Sequence, residues 1–144
     1  MKPHDEGYKN IINTAYKLLN SVGLYSQKSG TIELHSYNMH GGTKNTKFAI
    51  HADNDAYSST YVNTCIFYTH RDGTIIDCNL DYYVKDPTQN KWRKMLWPKY
   101  LKNIHNVTTG SVILMSGNVK HKPQICSGSG RRNAIVVMLY EANK

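Results

Sequence analysis

Cysteine is scarce in this chain, and the three present, Cys65, Cys78 and Cys126, are odd in number and far apart. They form no CxxC pair, so neither a zinc knuckle nor a disulfide framework is indicated, and reduced thiols of an intracellular protein fit them best. No run of eighteen apolar residues occurs, which excludes a spanning helix of ordinary length. The first ten residues, MKPHDEGYKN, contain no apolar core of a signal peptide. A soluble, cytoplasmic protein with no membrane partner is the expectation. Acidic residues are also few: 10 Asp and Glu stand against 18 Lys and Arg, for a net charge of +8. That balance favours nucleic acid, acidic proteins or small anions as partners. The lysines are dispersed, however, and general solvation explains them equally well. Aromatic residues are not interleaved with basic ones as a base-stacking platform requires. Neither an internal repeat nor a linker is visible.

What is present describes one globular unit. A chain of 144 residues most simply makes a single domain, here 1–144, and buries about 68–70% of its unfolded surface. Tyr8, Ile11, Ile12, Ala15, Leu18, Leu19 and Val22 recur at helical spacing, with Gly23 as the stop. This predicts one amphipathic helix over about 6–22. The rest reads as β, a barrel over about 31–141. Thr31 to Tyr37 and Lys47 to His51 alternate at period two; Tyr61 to Thr69 is β-branched and aromatic; Gly73 to Asp77 opens another strand. Ser111 to Met115 and Ala134 to Tyr140 are apolar enough for central strands. Loops are expected at Gly41-Gly42, Asp86 to Asn90 and Ser127 to Gly130. The segment 91–105, KWRKMLWPKYLKNIH, reads as a broken helix or an aromatic loop over the barrel. The expected class is mainly β: a double-stranded β-helix (jelly roll) with the helix on its outer face.

One short stretch suggests chemistry. In Ile50-His51-Ala52-Asp53, a histidine and a carboxylate stand two apart, and in a strand such residues share a face. Taken alone the pair is weak, since the chain has seven histidines and a surface turn explains it. The context strengthens it. His121 follows the apolar run Val112 to Met115 and the turn Gly117-Asn118. Two imidazoles and a carboxylate, His51, Asp53 and His121, suit Fe(II) and leave three positions open. Arg131 and Arg132 then precede the last apolar strand. A guanidinium inside a barrel is a bidentate partner for a carboxylate. Iron with an arginine beyond it suits a diacid, 2-oxoglutarate. Adjacent strand residues face opposite sides, so only one of the two arginines can point inward. Either Arg131 or Arg132 can take that place.

Several segments together resemble the 2-oxoglutarate/Fe(II) dioxygenases, in particular their prolyl-hydroxylase-like branch. They are Glu33 to Tyr37, His51-Ala52-Asp53-Asn54, Thr64-Cys65-Ile66-Phe67-Tyr68, Gly110 to Pro123 and Arg132 to Val137, in the family's order over about residues 31–140. The resemblance implies that His51, Asp53 and His121 ligate iron. It implies that Tyr68 bonds the far carboxylate of 2-oxoglutarate and that Tyr37 lines the same pocket. For the basic anchor, the family's spacing from the distal histidine favours Arg131, and the match to its strand, RNAIVV here, favours Arg132, the slightly stronger choice. Plain core or strand packing is the alternative for each tyrosine. It further implies hydroxylation of a C–H bond with release of succinate and CO2, supported by ascorbate. A protein or peptide side chain such as proline is the first expected substrate, and nucleic acid the second. A basic β-barrel that binds nucleic acid or an acidic partner without catalysis is the rival class. The chain departs from the family in having little sequence before the first barrel strand, where larger members build substrate-binding helices and lids. Among the other histidines, His35, His40, His70 and His105 are assigned no chemistry, and Cys126 is read as a small buried or rim residue.

Overall fold

A computed structural model describes residues 5–39, 50–56, 61–73, 80–86, 88–89, 91–94, 110–123 and 129–142. Helix α1 spans Glu6–Ser21. Its inward stripe is Ile12, Ala15 and Leu19, spaced three and four apart, and all three are buried. The helix stops where the periodicity ends. Gly23 takes φ +82, its N–H donates to Asn20 O at 3.1 Å, and the Leu24 N–H donates to Leu19 O at 2.9 Å. That is a Schellman closure, and its left-handed position favours glycine.

Seven strands follow among the described residues: β1 Ser26–Met39, β2 Val62–Arg71, β3 Leu80–Asp86, β4 Lys91–Lys94, β5 Val112–Ser116, β6 Lys120–Pro123 and β7 Gly130–Glu141. They form a four-stranded sheet in the order β1-β7-β2-β5 and a three-stranded sheet in the order β4-β3-β6. Every pairing is antiparallel. Two of these elements correct the expectations. β1 begins at Ser26 rather than Thr31, because Ser26-Gln27-Lys28-Ser29-Gly30 has no apolar alternation and becomes strand only by lying against β7. Lys91–Lys94 is a strand, not a helix or an aromatic loop, because it pairs with β3. The strand expected at Thr74 to Asp77, the segment Lys47 to Ala49, the loop at Gly41-Gly42 and residues 95–105 lie outside the described residues.

The side-chain period of two gives the larger sheet two working faces. Cys65 on β2 with Val137 and Leu139 on β7 face outward onto Ile12, Ala15 and Leu19 of the helix. Leu19, Cys65, Val137 and Leu139 are fully buried there. Truncating Leu19 to alanine would cost about 2–5 kcal/mol in such a site. On the other face Ile66, Tyr68, Met115 and Ala134 make a second core with Leu80 and Tyr82 of β3. The two sheets therefore pack inner face to inner face, and the helix covers the outside of the larger one. A cavity of about 100 Å³ lies between the sheets.

Candidate metal centre

The cavity is where the distant histidines meet. His51 and His121 form an isolated antiparallel bridge: the His51 N–H donates to His121 O at 3.0 Å and the His121 N–H to His51 O at 2.9 Å. Residues directly opposite in such a pair project to the same side. Their ring centroids lie 4.4 Å apart. The chain then leaves strand geometry, and Asp53 opens a short 3-10 turn, Asp53–Ala56. That turn, rather than a continuing strand, swings the carboxylate beside the rings. Asp53 Oδ1 lies 3.4 Å from His51 Nε2 and 3.5 Å from His121 Nε2. One ligand atom from each residue falls within 4.8 Å of the others. Two donors each about 2.1 Å from a common ion, at an angle of about 90–110°, are about 3.0–3.4 Å apart. The Asp53 oxygen is therefore placed to share an ion with either imidazole, and the three residues form a group that could hold one metal ion.

Neighbouring groups fix how the ligands point. The His121 Nδ1–H donates to Val119 O at 3.0 Å, which leaves Nε2 with its lone pair toward the cavity. Thr64, fully buried on β2, donates its hydroxyl to Asp53 Oδ2 at 2.5 Å. One carboxylate oxygen is thereby held away, and Oδ1 is presented to the histidines. Asn54 ties the turn down: its Oδ1 accepts the Val62 N–H at 2.7 Å and its amide donates to Asn118 Oδ1 at 2.6 Å. Gly117 packs so close to Asn54 Oδ1 and Val62 O that a Cβ would collide with both. Asp55 Oδ2 takes an N–H from Ala52 at 3.2 Å and pairs with Lys120 Nζ at 3.1 Å.

The electrostatics agree with a deprotonated set. Burial works to raise the Asp53 pKa, but the hydrogen bonds from His51 and Thr64 and the charges of both histidines outweigh it, and the net direction is down. Burial holds His121 below the ordinary histidine value, against the opposing pull of Val119 O and Asp53. Both directions favour the species that bind metal.

The two arginines part company as strand alternation demands. Arg132 shares the inner face with Ala134, is 4% exposed, and lays its Cζ 4.0 Å over the Tyr68 ring. Its Nη2 atom is buried and makes no hydrogen bond among the described residues, although the guanidinium has contacts elsewhere. Arg131 is exposed, and what it contributes is its backbone N–H, 2.7 Å from Asp72 Oδ1. Tyr68 is buried and lines the cavity. Tyr37 lies opposite Arg132 in the β1–β7 register, but its side chain lies outside the described residues. His70 pairs with Asp72 at 2.9 Å, away from the centre. His40, His105, Cys78 and Cys126 lie outside the described residues. Apolar side chains, Ile66, Leu80, Met115, Val136 and Met138, complete the cavity wall. Sequence reasoning missed Thr64, Asn54, Asp55 and Lys120. Only Asn54 had a signal, its place directly after the His-x-Asp stretch.

No family model, curated protein or solved structure matches the chain.

Proposed function

We propose that this protein is an Fe(II)- and 2-oxoglutarate-dependent dioxygenase that hydroxylates a C–H bond on a protein or peptide side chain, proline being the first candidate. The observation that carries the reading is the grouping of His51, Asp53 and His121, ligand atoms within 4.8 Å of one another, on the wall of a cavity, with Asp53 Oδ1 close to both Nε2 atoms. Two imidazoles and one carboxylate on one side of an ion leave its other positions for small ligands. The winding supports the reading too. Counting the bridge at His51 as a strand beside β6, the chain alternates between the sheets, apart from the hairpin β3–β4, as a jelly roll does.

Iron, 2-oxoglutarate and O2 supply the oxidising chemistry when bound. This chain's residues do the rest. Thr64 presents a single oxygen of Asp53, and Val119 O holds the binding tautomer of His121. Arg132, braced on Tyr68, would hold the far carboxylate of the diacid. The apolar wall excludes water from the reacting carbon.

The test is to mix purified protein with Fe(II), ascorbate and 2-oxoglutarate and to measure succinate with and without a proline-rich peptide pool. Succinate should form and should rise with the peptides. His51→Ala and Asp53→Ala should abolish both metal binding and turnover. An Asp53→Ala protein that decarboxylates 2-oxoglutarate at the full rate would refute the assignment.

A further inference from the structure

Two polar side chains in the cavity belong to none of the roles above. Glu33 and His35 lie on one face of β1, opposite Val136 and Ala134 in register, and both line the cavity that holds His51, Asp53 and His121. His35 Nε2 lies 3.1 Å from Glu33 Oε2. That contact fixes the carboxylate and leaves Oε1 for another donor, since a carboxylate accepts about four hydrogen bonds. Glu33 remains half exposed, at 53%, so a ligand can reach it from solvent. Its sign is notable. In a chain of net charge +8, the long-range field draws anions, yet the cavity wall carries a carboxylate whose ion-pair partner among the described residues is His35.

From this juxtaposition we propose that Glu33, oriented by His35, selects substrates carrying a cationic side chain, Lys or Arg, beside the residue to be oxidised. The proposal rests on the dioxygenase reading for what happens to the bound segment, but its charge preference is measurable without turnover. His35 acts as a positioning residue for Glu33. A neutral or acidic neighbour on the substrate would leave the carboxylate to water, or repel it.

The experiment uses fluorescein-labelled proline peptides that differ only in one flanking residue, Lys, Ala or Glu. Binding to the full chain is followed by anisotropy in 0.15 M salt, where the Debye length of about 8 Å mutes the global field. It is measured with and without Mn(II) and 2-oxoglutarate. The Lys peptide should bind about fivefold tighter than the Ala peptide, the upper range for a solvent-accessible pair. Glu33→Gln should bring that ratio near one, and Glu33→Lys should turn the preference toward the Glu peptide. His35→Ala should reduce the ratio, and Glu33→Asp should restore part of it. Tightest binding of the Glu peptide by the unaltered protein, a ratio unmoved by Glu33→Gln and Glu33→Lys, or no binding of any peptide would overturn the proposal. A Lys preference that persists in a protein unable to bind Mn(II) or form succinate would overturn the dioxygenase reading and leave the selectivity standing.

Discussion

Consider removal of a single oxygen, Thr64→Val. The two side chains are close in shape, and position 64 is fully buried in a β-branched strand, so the backbone has no reason to move. The variant loses the hydrogen bond to Asp53 Oδ2. Hydrogen bonds to a charged group contribute about 1.5–3 kcal/mol, and the carboxylate oxygen is then left in an apolar wall. The carboxylate also becomes free to rotate about its last torsion, so Oδ1 is no longer held toward the two Nε2 atoms. Loss of such an outer partner typically weakens metal binding about 10–100-fold. Anaerobic Fe(II) titration, or Mn(II) titration by electron paramagnetic resonance, should show that weakening, while Thr64→Ser should stay within a few-fold of the parent. The thermal midpoint should fall in Thr64→Val by an amount consistent with about 1–3 kcal/mol. A metal affinity unchanged within twofold in Thr64→Val would refute the claim that Thr64 sets the carboxylate.

Other expectations are equally direct. Arg132→Ala should raise the apparent requirement for 2-oxoglutarate by two orders of magnitude or more, since breaking a desolvated ion pair costs about 3–5 kcal/mol. Arg131→Ala, at an exposed side chain, should barely change it, and equal small effects in kinetic assays would remove the anchor. The pH dependence of stability follows from His121, whose folded value lies below the ordinary 6.5. The unfolded chain then binds more protons near and below that pH, so the stabilisation present above about 6.5 is lost as pH falls. Asp53, whose folded value lies below 3.8, adds a further loss only beneath that pH. Urea midpoints of the metal-free protein should drop between pH 7.5 and 5.5, and less so in His121→Asn; identical profiles would contradict this. Burial pushes the Cys65 thiol up to about 12. It should resist a thiol reagent in the native protein and react on unfolding, as mass spectrometry of the labelled peptide would reveal.

Much of this architecture is written in local patterns. The stripe Ile12, Ala15, Leu19 and the glycine at 23 specify a helix of one length, because 3.6-residue spacing and a left-handed stop act within a few residues. The apolar runs at 62–68, 112–115 and 134–140 specify strands for the same reason. Other features carry no local signal. Ser26 to Gly30 is polar and Lys91 to Lys94 is basic around a single Trp92, and they become strand only because an adjacent strand offers its unpaired backbone groups. Thr64 in Val-Asn-Thr-Cys-Ile-Phe-Tyr reads as an ordinary strand former, so its hydroxyl partner across the chain is invisible.

By itself, then, the order of residues determined the helix and the apolar strands, and it named His51, Asp53, His121 and a pair of neighbouring arginines as candidates. Tertiary structure decided the rest. It set the strand phase that buries Arg132 and exposes Arg131, since Val137 and Leu139 dock on the helix and so turn even-numbered residues of β7 inward. It also brought His51 beside His121 through two backbone hydrogen bonds, and turned Asp53 toward them in a 3-10 turn. Such proximities arise from pairing between segments remote in the chain, and no period along one segment encodes its partner.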